Sequence, residues 1–398
     1  MTTRTTLLGC LIGLTQLIGI APTVSAASGL QLSGFGTAAL ISLDQDDVFF
    51  NHPSKQRERQ RNEWISASDT LLGIQGSLSL RSDTEVTVQV IVEENYQNDV
   101  KPRLAWAFVR HDLKPNLTVR AGRLRTPFFM HSDSLNINFA HPWVRPPVEV
   151  YGLNPVSDLD GIDMLYRTQL GGFNVEVQPY FGYGKVKFPD GSANLDHTGG
   201  ISINMSRGDL RVQFGHGEGG FDLHYGDPIY LGTRDYLFAT GRADVVAKLS
   251  GDDGHTSFSA IGFQWDHNAY QLSGELARRR ADKFLANAYA WYLSAAYQAG
   301  SFAPFVVLAK QNASSQLVPA NGDPVLEGYL ASRSSNQESL ALGVRWDAAP
   351  NKAIKLQWTR NWVENDAWGA FFPTSDPTVS NPSGTRIDML NLSLDFVF

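Results

Sequence analysis

Ile387–Phe398, IDMLNLSLDFVF, alternates from end to end. Leu390, Leu392, Leu394, Phe396 and Phe398 fall on one side of an extended chain, and Asn391, Ser393, Asp395 and Val397 fall on the other. A strand turns successive side chains to opposite faces, so this one presents an apolar face and a mostly polar face. One such segment fits any half-buried strand. The fold is decided by its repetition: stretches of about ten residues with the same alternation recur along the whole chain, the signature of strands that face lipid on one side and a lumen on the other.

Outward from the end, Lys352–Val363 puts Ile354, Leu356, Trp358 and Trp362 on one face, and Thr84–Glu93 puts Val86, Val88, Val90 and Val92 outward with Glu85, Thr87, Gln89 and Glu93 inward. Comparable segments are Leu30–Leu43, Ser68–Leu80, Arg103–His111, Leu117–Arg125, Gly161–Thr168, Phe173–Tyr183, His197–Ser206, Leu210–His216, Ser257–Trp265, Ala269–Arg279, Ala288–Gln298, Phe302–Gln311 and Glu338–Trp346. Short turns at Arg81, Asp112, Leu170, Arg207, Asp266, Ala299 and Asp347 alternate with longer connections. The expectation is an all-β chain, a transmembrane antiparallel barrel of sixteen strands with short turns at one rim and loops at the other. It requires Gly217–His255 to be one outer loop with Asp235–Leu249 as a small helix, because a strand there would make the number odd. Closure removes every free sheet edge, which lets backbone sit in lipid. Tyr270, Trp291, Tyr297, Trp346 and Trp362 near strand ends suit an aromatic girdle.

The N-terminus reads as a processing segment. Arg4 precedes the apolar run Leu7–Ile20, then Pro22 and the small residues Val24-Ser25-Ala26. This is the layout of a cleaved secretory signal over residues 1–26, leaving 27–398 as a single barrel domain. Nothing after it reaches the run of about 18 apolar residues that a membrane helix needs. Cys10 is the only cysteine, so the processed chain has neither a disulfide nor a cysteine-based nucleophile or metal site, and no cofactor is expected. The formal net charge of −7 argues against a nucleic-acid partner. The basic run Lys55–Arg61 is interleaved with Gln and Glu and reads as a solvated or lipopolysaccharide-facing loop. Asp44, Asp46 and Asp47 form an acidic loop of the type that binds calcium, a weaker reading than a solvated turn.

One connection stands apart. Thr126–Asp160, TPFFMHSDSLNINFAHPWVRPPVEVYGLNPVSDLD, has little periodicity, and so long an irregular segment in a compact domain is usually functional. Phe128, Phe129, Trp143, Pro146, Pro147 and Tyr151 stiffen it, and Asp133, Arg145, Glu149, Asp158 and Asp160 charge it. Strand counting makes it the third outer loop.

The preceding strand end, RAGRLRTPF (Arg120–Phe128), resembles the "GR…PF" element that introduces the third loop of the Gram-negative outer-membrane porins. HPWVRPPVEVYG (His141–Gly152) is similar to a segment of porin-like proteins, and a terminal aromatic after an alternating strand is similar to the end of outer-membrane proteins. The resemblance implies an inward-folded third loop forming a constriction, loop carboxylates facing a basic wall, a homotrimer and passage of small hydrophilic solutes or ions. Asp133, Glu149, Asp158, Asp160 and Asp163 are candidates for the acidic side, with Arg145 in the loop itself. Arg103, Arg120, Arg123, Arg125 and Arg167 lie on adjacent strands, and Arg211, Arg345 and Lys355 come from the far wall. By alternation from Val119 and Ala121, Arg123 and Arg125 fall on the outward face, as rim charges toward lipopolysaccharide or a neighbouring subunit. Two other classes stand beside the channel reading. A barrel enzyme of the outer membrane finds no Ser/His/Asn or paired-Asp spacing to support it, and a structural or adhesive barrel is the third.

Overall fold

The computed structural model describes residues 29–50, 64–65, 69–95, 97, 99–154, 156–315, 317–373 and 381–398. The expected signal segment and Lys55–Arg61 lie outside them.

Sixteen antiparallel strands close into a barrel. They are β1 (Leu30–Leu43), β2 (Leu71–Arg81), β3 (Thr84–Glu94), β4 (Val100–Lys114), β5 (Leu117–Arg125), β6 (Asp158–Leu170), β7 (Phe173–Phe188), β8 (Gly191–Arg207), β9 (Leu210–Tyr225), β10 (Gly254–His267), β11 (Tyr270–Ala281), β12 (Asn287–Tyr297), β13 (Phe302–Ser315), β14 (Gln337–Ala349), β15 (Lys352–Val363) and β16 (Arg386–Val397). Each strand pairs with its sequence neighbours, and β16 returns to β1 in the register Ala38↔Leu394 and Leu40↔Leu392.

The barrel inverts the rule for soluble proteins, whose charged and polar side chains stay outside. Leu72, Ile74, Ile162, Phe181, Ile261, Leu276, Leu293 and Leu356 are exposed, whereas Gln89, Gln178, Ser202, Gln213, Glu275, Gln357, Asn391 and Asp395 are buried. An apolar outer band with a polar interior is what a lipid-spanning barrel requires. Tyr270 and Tyr297 meet at 4.9 Å, and Phe302 and Trp346 stack at 6.1 Å, all beside short turns.

A row of glycines crosses β5, β6 and β7, where Gly122 pairs with Gly161 and Gly161 with Gly182. The backbones approach so closely that a Cβ on Gly122 would lie 2.2 Å from the Ala107 carbonyl oxygen, and one on Gly161 would lie 2.1 Å from that of Phe181. The row therefore excludes any side chain just below the level where the third loop leaves the wall.

Three expectations change. The ninth strand does not stop at His216 but runs on to Tyr225, so the outer connection expected over Gly217–His255 is shorter. The seventh and eighth strands do not stop at Tyr183 and start at His197. They run on to Phe188 and from Gly191, because Pro189-Asp190-Gly191 is a tight turn with Asp190 at φ 61°. Asp235–Leu249 is not one helix but spans parts of two.

Among the described residues four helices belong to connections between strands: α1 (Val148–Tyr151), α2 (Pro228–Ala239), α3 (Ala243–Leu249) and α4 (Pro324–Arg333). Asp227 caps α2 by accepting from the Tyr230 N–H, and Asp323 caps α4 by accepting from Val325 and Leu326. In both, Pro takes the first helical position, where no N–H is needed. Leu237, Val246, Leu249, Leu326 and Tyr329 pack these helices together. The short strands Val48–Phe50 and Phe371–Pro373 pair beside them.

Candidate functional site

The third outer connection occupies residues 126–157, because β6 already begins at Asp158. It holds one 3-10 turn (Asn138–Ala140) and α1. So little regular structure leaves many backbone groups to be satisfied by other partners, and inward-facing side chains of distant strands supply them.

Lys355 on β15 is fully buried. Its Nζ donates to the carbonyls of Asn138 (2.6 Å) and Trp143 (2.8 Å) and ion-pairs with Asp395 of β16 at 2.9 Å. Arg345 on β14 donates to the carbonyls of Phe139 (2.5 Å) and His141 (3.0 Å). Gln357 accepts from the Val144 N–H at 3.0 Å. Asn138 donates to Thr37 Oγ1 of β1 at 3.1 Å, and Thr37 donates to Asp395 at 2.7 Å. Glu275 on β11 accepts from the Met130 N–H at 2.8 Å and from the Tyr151 hydroxyl at 2.5 Å. Gln213 on β9 donates to the Pro127 carbonyl at 3.2 Å.

Two charges within the connection are also fastened. Arg145 pairs with Asp69, donates to Asn391 at 2.7 Å and lies over the Phe50 ring at 4.5 Å. Glu149 accepts from Gln337 at 2.7 Å. An aromatic cluster packs between these ties: Phe129 lies 4.6 Å from Tyr151 and 4.9 Å from Phe258, and Trp143 lies 5.8 Å from Tyr292. The ties reach β1, β9, β11 and β14–β16, which together form one arc of the barrel.

The opposite arc is left open. A cavity of about 720 Å³ is walled by Glu93, Lys101, Arg103, Asp158, Lys185 and Lys187 on the strands and loop rim, and by Asn136, Arg145 and Tyr151 of the connection. Arg103 pairs with Glu93 at 2.5 Å and with Asp158 at 3.4 Å. Asp158 also pairs with Arg125 at 3.3 Å. Toward the short-turn rim, Arg120 grips Asp163 through two bonds of 2.5 and 2.9 Å, and Arg167 pairs with Glu176 at 2.8 Å. Asp133 is exposed on the connection, and its charge acts on Arg120 and Arg125. Arg211 borders a smaller cavity of about 160 Å³ with His131, His141, Gln264 and Gln271.

The candidates thus divide by position. Arg103 and Asp158 line the open cavity, with Arg125 buried behind Asp158. Arg120, Asp163 and Arg167 pair below it. Arg145, Glu149, Arg345 and Lys355 hold the connection in place, because buried carbonyls and carboxylates demand partners. Arg123 and Asp160 form a two-bond pair on the outward face, with both bonds at 2.7 Å. Alternation placed Arg123 and Arg125 alike; Arg125 ends its strand and instead packs inward on the Trp106 ring at 5.9 Å. Glu275, Gln357, Gln213, Thr37 and Asp69 were not singled out, although an inward carboxylate or amide in mid-strand was the signal available. Among the described residues no group of His, Cys, Asp or Glu is arranged to hold a metal ion.

Two imidazoles sit inside the connection. His131 and His141 meet at 4.7 Å, and His141 stacks on Trp143 at 5.5 Å. Burial pushes the His131 pKa from 6.5 down to about 4, with the Arg211 charge adding to the shift, and burial holds His141 well below the ordinary value. The unfolded chain therefore binds more protons between pH 4 and 6.5, so the packing is at full strength above 6.5 and weakens as pH falls toward 4. The thermal midpoint of the wild type is expected to drop across that window by more than that of His131→Gln. Equal drops would exclude His131 as a source.

No family model and no curated protein matches the sequence. Solved structures do match the fold. The anion-selective porin from Comamonas acidovorans aligns with a TM-score of 0.57 at 13% identity, over 93% of this chain and 100% of that one. The outer membrane channel DcaP of Acinetobacter baumannii aligns at 0.57 and 10% identity, over 94% and 98%. OmpT, an outer membrane protein of Vibrio cholerae in trimer form, aligns at 0.52 and 10% identity, over 94% and 100%. The fold is that of the outer-membrane porins. Identities this low carry the porin fold and leave solute and selectivity to the residues of this chain.

Proposed function

We propose that this chain is a porin of the bacterial outer membrane, a water-filled channel for passive diffusion of small hydrophilic, charged solutes, with residues 126–157 folded inward as its constriction. The observation that carries the reading is the asymmetry of the interior. One arc of the barrel is committed to the third connection by buried hydrogen bonds, and the other faces a cavity of about 720 Å³ bordered by charges of both signs. Sixteen-stranded barrels are wide enough to conduct unless something narrows them. Charged walls in a narrow aqueous gap orient polar solutes and disfavour apolar ones. Glu93, Lys101, Arg103 and Asp158 form the proposed aperture, with Arg125 buried behind Asp158 and with Arg120, Asp163 and Arg167 continuing the charged path toward the short-turn rim. The porin fold of the neighbours supports the membrane assigned here.

We place the chain in a homotrimer. The Arg123–Asp160 pair lies on the face that otherwise meets lipid, where charge is costly, and a neighbouring subunit would cover it. The trimeric form of one fold neighbour supports the same arrangement.

The test is planar-bilayer recording on refolded protein, with discrete open-channel steps expected. Their absence would overturn the channel reading. In the same setting, Arg103→Glu reverses one wall charge beside Glu93 and Asp158. At physiological ionic strength the screening length is about 8 Å, so a charge on the wall of a narrow gap acts across much of it. The reversal potential is expected to shift toward cations, and an unchanged one would take Arg103 out of the ion path.

A further inference from the structure

A third cavity, of about 140 Å³, lies at the loop rim between the ends of residues 126–157 and the outer ends of β7–β11. Its lining departs from the barrel's own pattern. Leu195, Phe221, Leu223 and Phe258 point inward and are buried, where water-facing polar groups would be expected. Part of this apolar surface packs on Phe128, Leu153 and Val156. The cavity is what that packing leaves unfilled. An apolar cavity of about 150 Å³ is large enough to hold a benzene ring.

One cation stands at its wall. Arg279 of β11 donates from Nη1 to the Leu153 carbonyl at 3.0 Å, and from Nε and Nη2 to the Ala286 carbonyl at 3.3 and 3.1 Å. Among the described residues no carboxylate lies within ion-pair distance of it. A guanidinium carries five N–H donors, so two remain after these bonds. Glu218 also borders the cavity, but it projects from the outward face of β9 beside His255, 4.0 Å away. Of the other lumenal arginines described above, Arg103, Arg120, Arg125 and Arg167 are paired with carboxylates and Arg345 with both carboxylate and carbonyls, whereas Arg211 has no carboxylate pair but is exposed to water. A cation with no counter-ion beside apolar surface is electrostatically incomplete, since desolvated charge needs an opposite partner.

The geometry points to a binding site for small monocarboxylates with an apolar body, aryl-alkanoates or short fatty acids. The body fills the cavity, and the carboxylate accepts from the two open N–H groups of Arg279. The site rests on the channel reading for its purpose, since a vestibule that concentrates such anions feeds the aperture, but not for its existence.

The test is calorimetric titration of the folded barrel, held in a neutral detergent, with 3-phenylpropionate, and in parallel with the matching alcohol 3-phenylpropanol and with acetate. The acid is expected to bind at least tenfold more tightly than either. Arg279→Gln is expected to bring acid and alcohol to equal affinity. Ala193→Phe fills the cavity and keeps the arginine, and it is expected to abolish binding of both aromatic compounds. Equal binding of acid and alcohol by the wild type, or unchanged binding by Ala193→Phe, overturns the site. Bilayer recordings on the same preparation report separately on conduction, so loss of binding with intact channel steps refutes the site alone.

Discussion

Lys355→Met is expected to lower the stability of the barrel and, on the proposed channel reading, to widen the pore at the same time. The ammonium is the shared donor for two loop carbonyls and the ion-pair partner of Asp395, and both charged side chains are wholly inaccessible to water. Methionine keeps most of the volume and removes the charge. Asp395 then retains donors only from Thr37 and Ser393, and the carbonyls of Asn138 and Trp143 lose their side-chain donor. Breaking a buried pair from one side costs about 3–5 kcal/mol. The expected readings are a lower temperature for loss of the folded, heat-modifiable form on gels, and a larger, noisier single-channel conductance. The double variant Lys355→Met/Asp395→Leu separates the two effects. Removing both charges restores most of the stability, but the loop carbonyls still lack their side-chain donor and the conductance stays high. Wild-type conductance in the single variant would mean that this part of the loop does not narrow the pore.

Gly122→Ala is expected to stop the barrel from assembling. The residue has φ +133°, a conformation that costs a residue with a side chain about 1–3 kcal/mol. The new methyl group would also lie 2.2 Å from the Ala107 carbonyl oxygen and 2.8 Å from the Phe108 Cα. Those atoms are backbone of the paired strand and cannot rotate away, so overpacking adds about 1–3 kcal/mol more. Gly171→Ala is the control: it has φ +58° but nothing within 4 Å, so only the backbone term of about 1–2 kcal/mol applies. The folded fraction after refolding measures both. Equal yields would mean that the close approach of β4, β5 and β6 is not obligatory.

Strand number, the order of short turns and loops, and the position of the long connection were all legible from period-two alternation. Lipid and lumen impose opposite demands on alternate residues, and the sequence carries that contrast openly. Capping chemistry was legible too, though it was not used: Asp227-Pro228 and Asp323-Pro324 both announce helices, and Pro189-Asp190-Gly191 announces the turn that joins β7 to β8. Alternation gives a side chain's face but not its depth or partner. Lys355 and Arg103 are both inward cations, yet one is enclosed against Asn138 and Trp143 and the other borders the open cavity. That difference depends on how an aperiodic segment folds, and its backbone groups find partners more than 200 residues away in sequence, as the Val144 N–H does with Gln357 at a separation of 213. Arg125 escaped for a local reason, since the last residue of a strand is no longer bound by its alternation.

The hydrogen-bonded chain from Asn138 through Thr37 and Asp395 to Lys355 crosses the junction of the first and last strands. Those strands are separated by nearly the whole polypeptide, so their meeting is the closing event of the barrel. The docked connection clasps both edges of that seam from inside. On the proposed channel reading, the segment that would narrow the pore is thus also a rivet across the seam of the wall.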